Sequence, residues 1–376
     1  MASRPGPLYC VTDKELYDAL MSSKQHFNAG SLLDLARGRG ILLSSADDRA
    51  ALADRLSAMI FGCEDIQSIQ AAFDTAGRGE KTTSFRLNTP LMPEDVKQIA
   101  EKYRESVGED EKVVTRSIGS NGYAVDLEYT EIDFSKTRLR QRQTREAHIE
   151  FRIEADHTIV TLPATEKARQ AAQALREQLF ARKQVDIGLE EVDFCGINDP
   201  EARTAFFTKL ISSLPDFTLS DVMRVNADRT DNPHTPLDED SEEEEADEEA
   251  SEQMLGIVKA MAFQGQSLLT SPQYQAMHGQ GFFITSITWS AKRNVSPYQI
   301  VEFEAGFEEP ILGRGFRYNV RGWITQRSGE YTKNLKPVPA EDKKNFLSVV
   351  ERVAIDVFRD IRQELAAPTE PAGDRE

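Results

Sequence analysis

No run of 18 apolar residues occurs anywhere in the 376-residue chain, which removes a transmembrane helix from consideration. Residues 1–9 carry one arginine and no apolar core, so a signal peptide is not expected and a cytoplasmic location is. Cysteine is scarce: Cys10, Cys63 and Cys195 lie far apart, with no Cys-x-x-Cys pair and no Cys/His cluster at zinc spacing. Buried free thiols in a reducing compartment are the expectation, with no metal site and no cofactor. The five histidines, His26, His148, His157, His234 and His278, share no metal-binding spacing. Phosphate-loop, nucleophile-elbow, His-Glu-x-x-His and dinucleotide fingerprints are all missing. No catalytic residue is therefore assigned, and an enzyme is the less favoured class.

What is present is an acidic, globular composition. Hydrophobic residues make up 39% and charged residues 29%, with a mean hydropathy of −0.49, and the length suits two or three domains. The net charge of −18 is uneven: residues 237–252 hold eleven acids and no base, and without them it is about −7. With Pro233 and Pro236 beside it, the stretch 229–252 reads as a disordered acidic linker.

The remainder reads as α+β: an N-terminal helical module followed by two antiparallel strand-meander-plus-helix units. Residues 1–106 form the helical module, with leucines spaced by three and four and Asn28 or Ser31 as an N-cap. Residues 60–103 are expected to continue as helices, and Pro93 followed by two acids starts one of them. Residues 107–228 form a mixed unit, with strands at 113–118, 123–134 and 148–163, a helix at 165–183, a strand at 185–194 and a helix at 200–214. Residues 253–366 hold a helix at 254–269, three antiparallel strands and a long closing helix, and 367–376 form a tail. The two halves after residue 110 suggest a duplicated topology.

Within residues 29–59, Leu32, Leu35, Gly40, Ile41, Leu52 and Leu56 describe a helix, a glycine turn with an apolar loop residue, and a second helix. This pattern resembles the SAP, or helix-extended-loop-helix, motif. The resemblance implies DNA binding through basic residues at the helix ends, for which Arg37, Arg39, Arg49 and Arg55 are available, though Asp34, Asp47, Asp48 and Asp54 dilute that face. A helical protein-docking module fits the same pattern.

The densest basic segment is Lys136, Arg138, Arg140, Arg142 and Arg145. If extended, alternation places Arg138, Arg140 and Arg142 on one face about 7 Å apart, close to phosphate spacing along a strand of nucleic acid. The plain alternative is a solvated basic loop guarding a sheet edge. With Arg37 and Arg39 these are the candidate nucleic-acid-binding residues, and the acidic run is a candidate mask over them. Weaker constellations are Glu150, Glu154 and Asp156 beside His148 and His157, the set Glu128, Glu150, Glu302 and Glu304, the turn Gly313-Arg314-Gly315, and a stacking platform of Trp289, Trp323 and Tyr331. The leading expectation is a non-catalytic nucleic-acid-associated or regulatory protein with DNA or RNA as partner. Its alternatives are a protein-interaction adaptor or homo-oligomer subunit without nucleic acid, and an enzyme with an unrecognised acidic site; a membrane partner is not expected.

Overall fold

The computed structural model describes residues 10–73, 80–107, 111–119, 122–183, 188–197, 199–229, 250–259, 272–327 and 330–366. By their contacts the residues divide into two compact units. The first comprises Met1–Arg78, Ala100–Thr115 and Val125–Ala147, and the second Gly79–Ile99, Arg116–Ala124 and His148–Glu376.

Helix starts in the first unit follow side-chain capping. Thr12 and Glu15 form a reciprocal capping box that opens α1 (Asp13–Ser22), and Asn28, the earlier of the two expected caps, accepts from the Ser31 N–H to open α2 (Ala29–Gly38). Gly40 follows at a φ of +74°, a left-handed turn that glycine adopts without strain. Asp48 caps α3 (Arg49–Ser57), its side chain accepting from the Ala51 N–H, and α4 spans Cys63–Phe73. Leu16, Leu20, Leu32, Leu52 and Leu56 interlock as the core of this unit. Arg49 ties the hairpin to the end of α1, donating to Leu20 O at 2.9 Å, Met21 O at 3.1 Å and Phe27 O at 2.6 Å.

Later elements mix strands and helices. They are β1 (Thr82–Leu87), α5 (Pro93–Val107), β2 (Glu111–Ile118), β3 (Gly122–Ile132), β4 (Arg142–Ile153), β5 (Thr158–Pro163), α6 (Glu166–Lys183), β6 (Leu189–Glu190) and α7 (Pro200–Ser212). There follow β7 (Phe217–Arg229), α8 (residues 250–259), α9 (Pro272–Gly279), β8 (Phe282–Arg293), β9 (Ile300–Glu309), β10 (Arg314–Ile324), the short pair β11 (Gln326–Arg327) and β12 (Glu330–Tyr331), and α10 (Ala340–Ala366). The main sheet runs β2-β3-β4-β5-β1-β10-β9-β8-β7. Two four-strand meanders, one closed by α6 and the other by α10, therefore flank a single central strand, and the α+β class stands.

That central strand is a correction to the reading of residues 60–103 as helical throughout. The run Thr82-Thr83-Ser84-Phe85-Arg86-Leu87 has β-branched and aromatic character, and it pairs antiparallel with β5 along its full length, Thr82 opposite Pro163 and Leu87 opposite Thr158. A second unexpected strand is β7, whose alternation is broken by register shifts at Leu219/Asp221, Val222/Arg224 and Asn226/Ala227. Of the strand expected over 185–194, residues 185–187 lie outside the described residues and β6 pairs with β1, after which Val192 and Phe194 enter the core of the second unit and the Phe194 N–H donates to Gly313 O at 3.0 Å. The expected boundary between a 107–228 unit and a 253–366 unit is not a seam, since β7 and β8 pair along their length. The linker is shorter than expected at both ends: Arg229 closes β7 and residues 250–252 are already helical. The rest of that linker, residues 260–269 of the expected helix, and the tail lie outside the described residues.

Aromatic packing fills the second unit. Phe206 meets Phe316 edge-on at 5.4 Å, and Trp289 stacks on Phe303 at 5.4 Å. Trp289 is fully buried, so it belongs to the core and not to a stacking platform. Among the described residues no helix is long and apolar enough to cross a membrane.

Candidate functional site

The basic segment is not an extended ladder. Residues 133–141 fold into successive turns, with the Arg140 and Gln141 N–H groups both donating to Thr137 O, at 2.7 and 3.0 Å. The physical cause is Leu139, which is 1% exposed and inserts into the helical core of the first unit. Anchoring that side chain bends the backbone and sends Arg138 and Arg140 apart.

Most of the candidate cations are then answered locally. Arg138 reaches Glu15 at 2.8 Å. The backbone N–H of Thr12 and then the Arg138 guanidinium hold the Glu15 carboxyl below its usual range. Lys136 pairs with Asp133 at 3.1 Å, and the Ser135 hydroxyl, Lys136 and the Ser135 N–H bring Asp133 down to about 2. Arg140 lies over the Phe73 ring, 4.8 Å from its centre. Arg145 bridges Glu131 and Gln143, each at 3.0 Å. In the SAP-like hairpin, Arg37 pairs with Asp34 at 2.7 Å, and Arg39 pairs with Asp65 at 2.6 Å, caps Ile60 O and lies over Phe61. Arg142, the first residue of β4, is exposed and makes no ion pair among the described residues.

What the structure brings together is a groove of about 1350 Å³ within the first unit. Val11, Leu16, Met59, Ile60, Phe61 and Ile66 supply its apolar walls, and Arg138, Gln141, Arg142 and Thr144 stand along it. Ile60 is 90% exposed. Burying such a side chain is worth about 1.5–3 kcal/mol, so its exposure on a loop is a standing cost that a partner can relieve. Cys10 and Cys63 also line the groove, and both are exposed, as is Cys195; the expectation of buried thiols fails because each sits in a loop or at a helix start. The signal that sequence reading passed over was Met59-Ile60-Phe61, three apolar residues between two helices where a polar turn is usual.

No protein-family model matches the chain, and no curated protein matches it. The site therefore rests on its own geometry.

The acidic constellations do not converge. Glu150 pairs with Lys344 at 2.6 Å, and although burial raises its pKa, His148 and Lys344 outweigh it and hold the carboxyl low. Glu128 pairs with Lys112, Glu302 with Arg321 and Glu304 with Lys81. Asp156 is spent on His157 at 2.5 Å, and Glu154 on Arg152 at 3.4 Å. Among the described residues no three His, Cys, Asp or Glu side chains are placed to hold a metal ion.

Proposed function

We propose that this protein is a non-catalytic docking protein whose first unit receives a segment of a protein partner in the groove between Met59-Ile60-Phe61 and the Arg138/Arg142 rim. The observation that carries this reading is the exposed apolar wall at Ile60 in a groove also lined by Arg142, which makes no ion pair among the described residues, and by Arg138, which Glu15 holds. That combination complements a segment with two or more apolar side chains flanked by carboxylates, as in other helix-in-groove and acidic-motif recognition. The SAP-like hairpin then serves as the scaffold that holds the groove open.

Nucleic acid is the alternative, and it draws support only from Arg142, since the other candidate cations have carboxylate or ring partners. A phosphate backbone would have to displace those partners, and the salt-dependent gain per contact is offset by the pairs broken.

Selection of a random peptide library on the full chain, with counter-selection on Ile60→Asp, tests the docking reading. It predicts enriched peptides that carry apolar residues beside Asp or Glu and that lose binding to Ile60→Asp and to Arg142→Glu. Peptides that bind both variants unchanged, or no enrichment at all, would remove the groove as the site.

A further inference from the structure

The second unit contains a separate cleft that the docking reading leaves unused. It has a volume of about 300 Å³ and opens where β1 meets β5 and β10, with α6 along one side. Its floor includes Thr83, Phe85 and Leu162, and the Thr83 hydroxyl is already spent on Phe316 O at 2.8 Å. On α6, Arg169, Ala172, Gln173 and Arg176 fall at positions i, i+3, i+4 and i+7, one face of the helix. The small Ala172 between the two arginines leaves the space.

Two guanidinium groups reach this space with donors unspent. Arg169 pairs with Glu308 through one nitrogen, while its Nη2 is buried with no hydrogen-bond partner among the described residues. Arg176 packs by Phe180, and its Nε is likewise buried and unpartnered. Gly315, at a φ of +68°, lets the Arg169 guanidinium lie against the backbone, where an added Cβ would stand 3.2 Å from its nitrogens. Leaving a buried donor unmade costs about 1–3 kcal/mol, so two in one cleft ask for an acceptor.

The opposite wall is acidic. Glu191 and Asp193 line it, and one Asp193 oxygen accepts the Cys195 N–H at 2.7 Å. Crowding by the surrounding protein, and then Asp193, raise the Glu191 pKa against the pull of Arg176 and Arg169. Arg314 at the mouth is engaged with the Cys195 sulfur at 2.9 Å. A bare anion would be repelled by these carboxylates, whereas a ligand carrying both signs would answer both walls.

We propose that this cleft binds a small zwitterion of amino-acid size, its carboxylate on Arg169 and Arg176 and its ammonium on Glu191. The volume lies at the low end for small-molecule sites, which fits a single amino acid better than a nucleotide.

Isothermal titration of the full chain with the common L-amino acids, and with acetate, methylammonium and inorganic phosphate as one-sign controls, tests this. The expected result is saturable binding of at least one amino acid, with acetate and methylammonium weaker by about tenfold or more. Arg176→Met and Glu191→Gln should each weaken it by about tenfold, and Ala172→Leu should abolish it by filling the space while keeping every charge. Circular dichroism and melting curves confirm that each variant is folded. Phosphate or acetate binding as tightly as any amino acid, or no saturable binding by the folded wild-type chain at millimolar ligand, would overturn the proposal.

Discussion

Arginine lines a concave surface in each unit, and the two surfaces differ in what surrounds the guanidinium. Beside the groove of the first unit, Arg138, Arg145 and Arg39 each find a carboxylate within 3.0 Å, and Arg140 finds a ring. Along the cleft of the second unit, Arg169 likewise has a carboxylate, Glu308, and the difference lies at Arg176, which packs by Phe180 and has no ion pair among the described residues; buried donor atoms without hydrogen-bond partners occur on Arg39 and Arg140 as on Arg169 and Arg176. A third arrangement lies beneath α10, where Arg152 is the hydrogen-bond partner, at 3.3 Å, of the fully buried Glu351, whose other oxygen is unpartnered. Density of positive charge along a sequence thus says little about availability. What decides it is whether an acid is folded within reach, as Glu15 is for Arg138 across 123 positions.

The comparison breaks most readily at its anchors. Leu139→Ala should cost about 2–5 kcal/mol in urea denaturation, because the side chain that bends the basic turn leaves a cavity in the helical core. An effect below about 0.5 kcal/mol would mean the turn is not held by that contact.

Next in size is Glu351. Burial raises its pKa from 4.5 to about 7, with Arg152, Arg352 and Arg86 pulling the other way and Tyr318 also facing it. The folded state favours the protonated acid, so this stabilising contribution is complete below the unfolded value and is lost as pH rises through about 7. Glu351→Gln should remove that dependence. Relative to wild type it should gain on the order of 3 kcal/mol between about pH 4.5 and pH 8, read from denaturant midpoints across pH. Parallel pH profiles for the two proteins would contradict the burial account.

The smallest effect belongs to the paired rim. Glu15→Gln can keep the capping geometry while dropping the charge opposite Arg138, and it should change stability by only about 0.2–1 kcal/mol, less in high salt. A salt-insensitive loss well above that range would make the pair structural, not a screened surface contact.

How far these features were legible beforehand varies by element. Pro93 before two acids, Asn28 as a cap, and Ile149, Phe151 and Ile153 alternating with polar residues all state their structure locally, and the folded chain agrees. β1 does not, since a six-residue strand set between two helices gains its definition from β5 and β10, which are distant in sequence. The three irregularities of β7 erase its period of two. The basic turn was legible as composition and misleading as geometry, because the residue that shapes it is the apolar Leu139 and the acid that answers Arg138, Glu15, lies far away in the chain. The cleft had a faint signal, a helix bearing Arg169, Gln173 and Arg176 on one face with alanine between, but the opposing Glu191 and Asp193 become its wall only after folding.

The central claim is that the first unit offers an apolar docking groove and not a free cationic track. Fluorescence anisotropy of short single- and double-stranded DNA and RNA with the intact chain, at low and physiological salt, tests it most directly. The account predicts no salt-sensitive binding and no difference on Arg142→Glu. Tight, salt-sensitive binding that is lost in the paired substitution of Arg138 and Arg142 by Glu would contradict it.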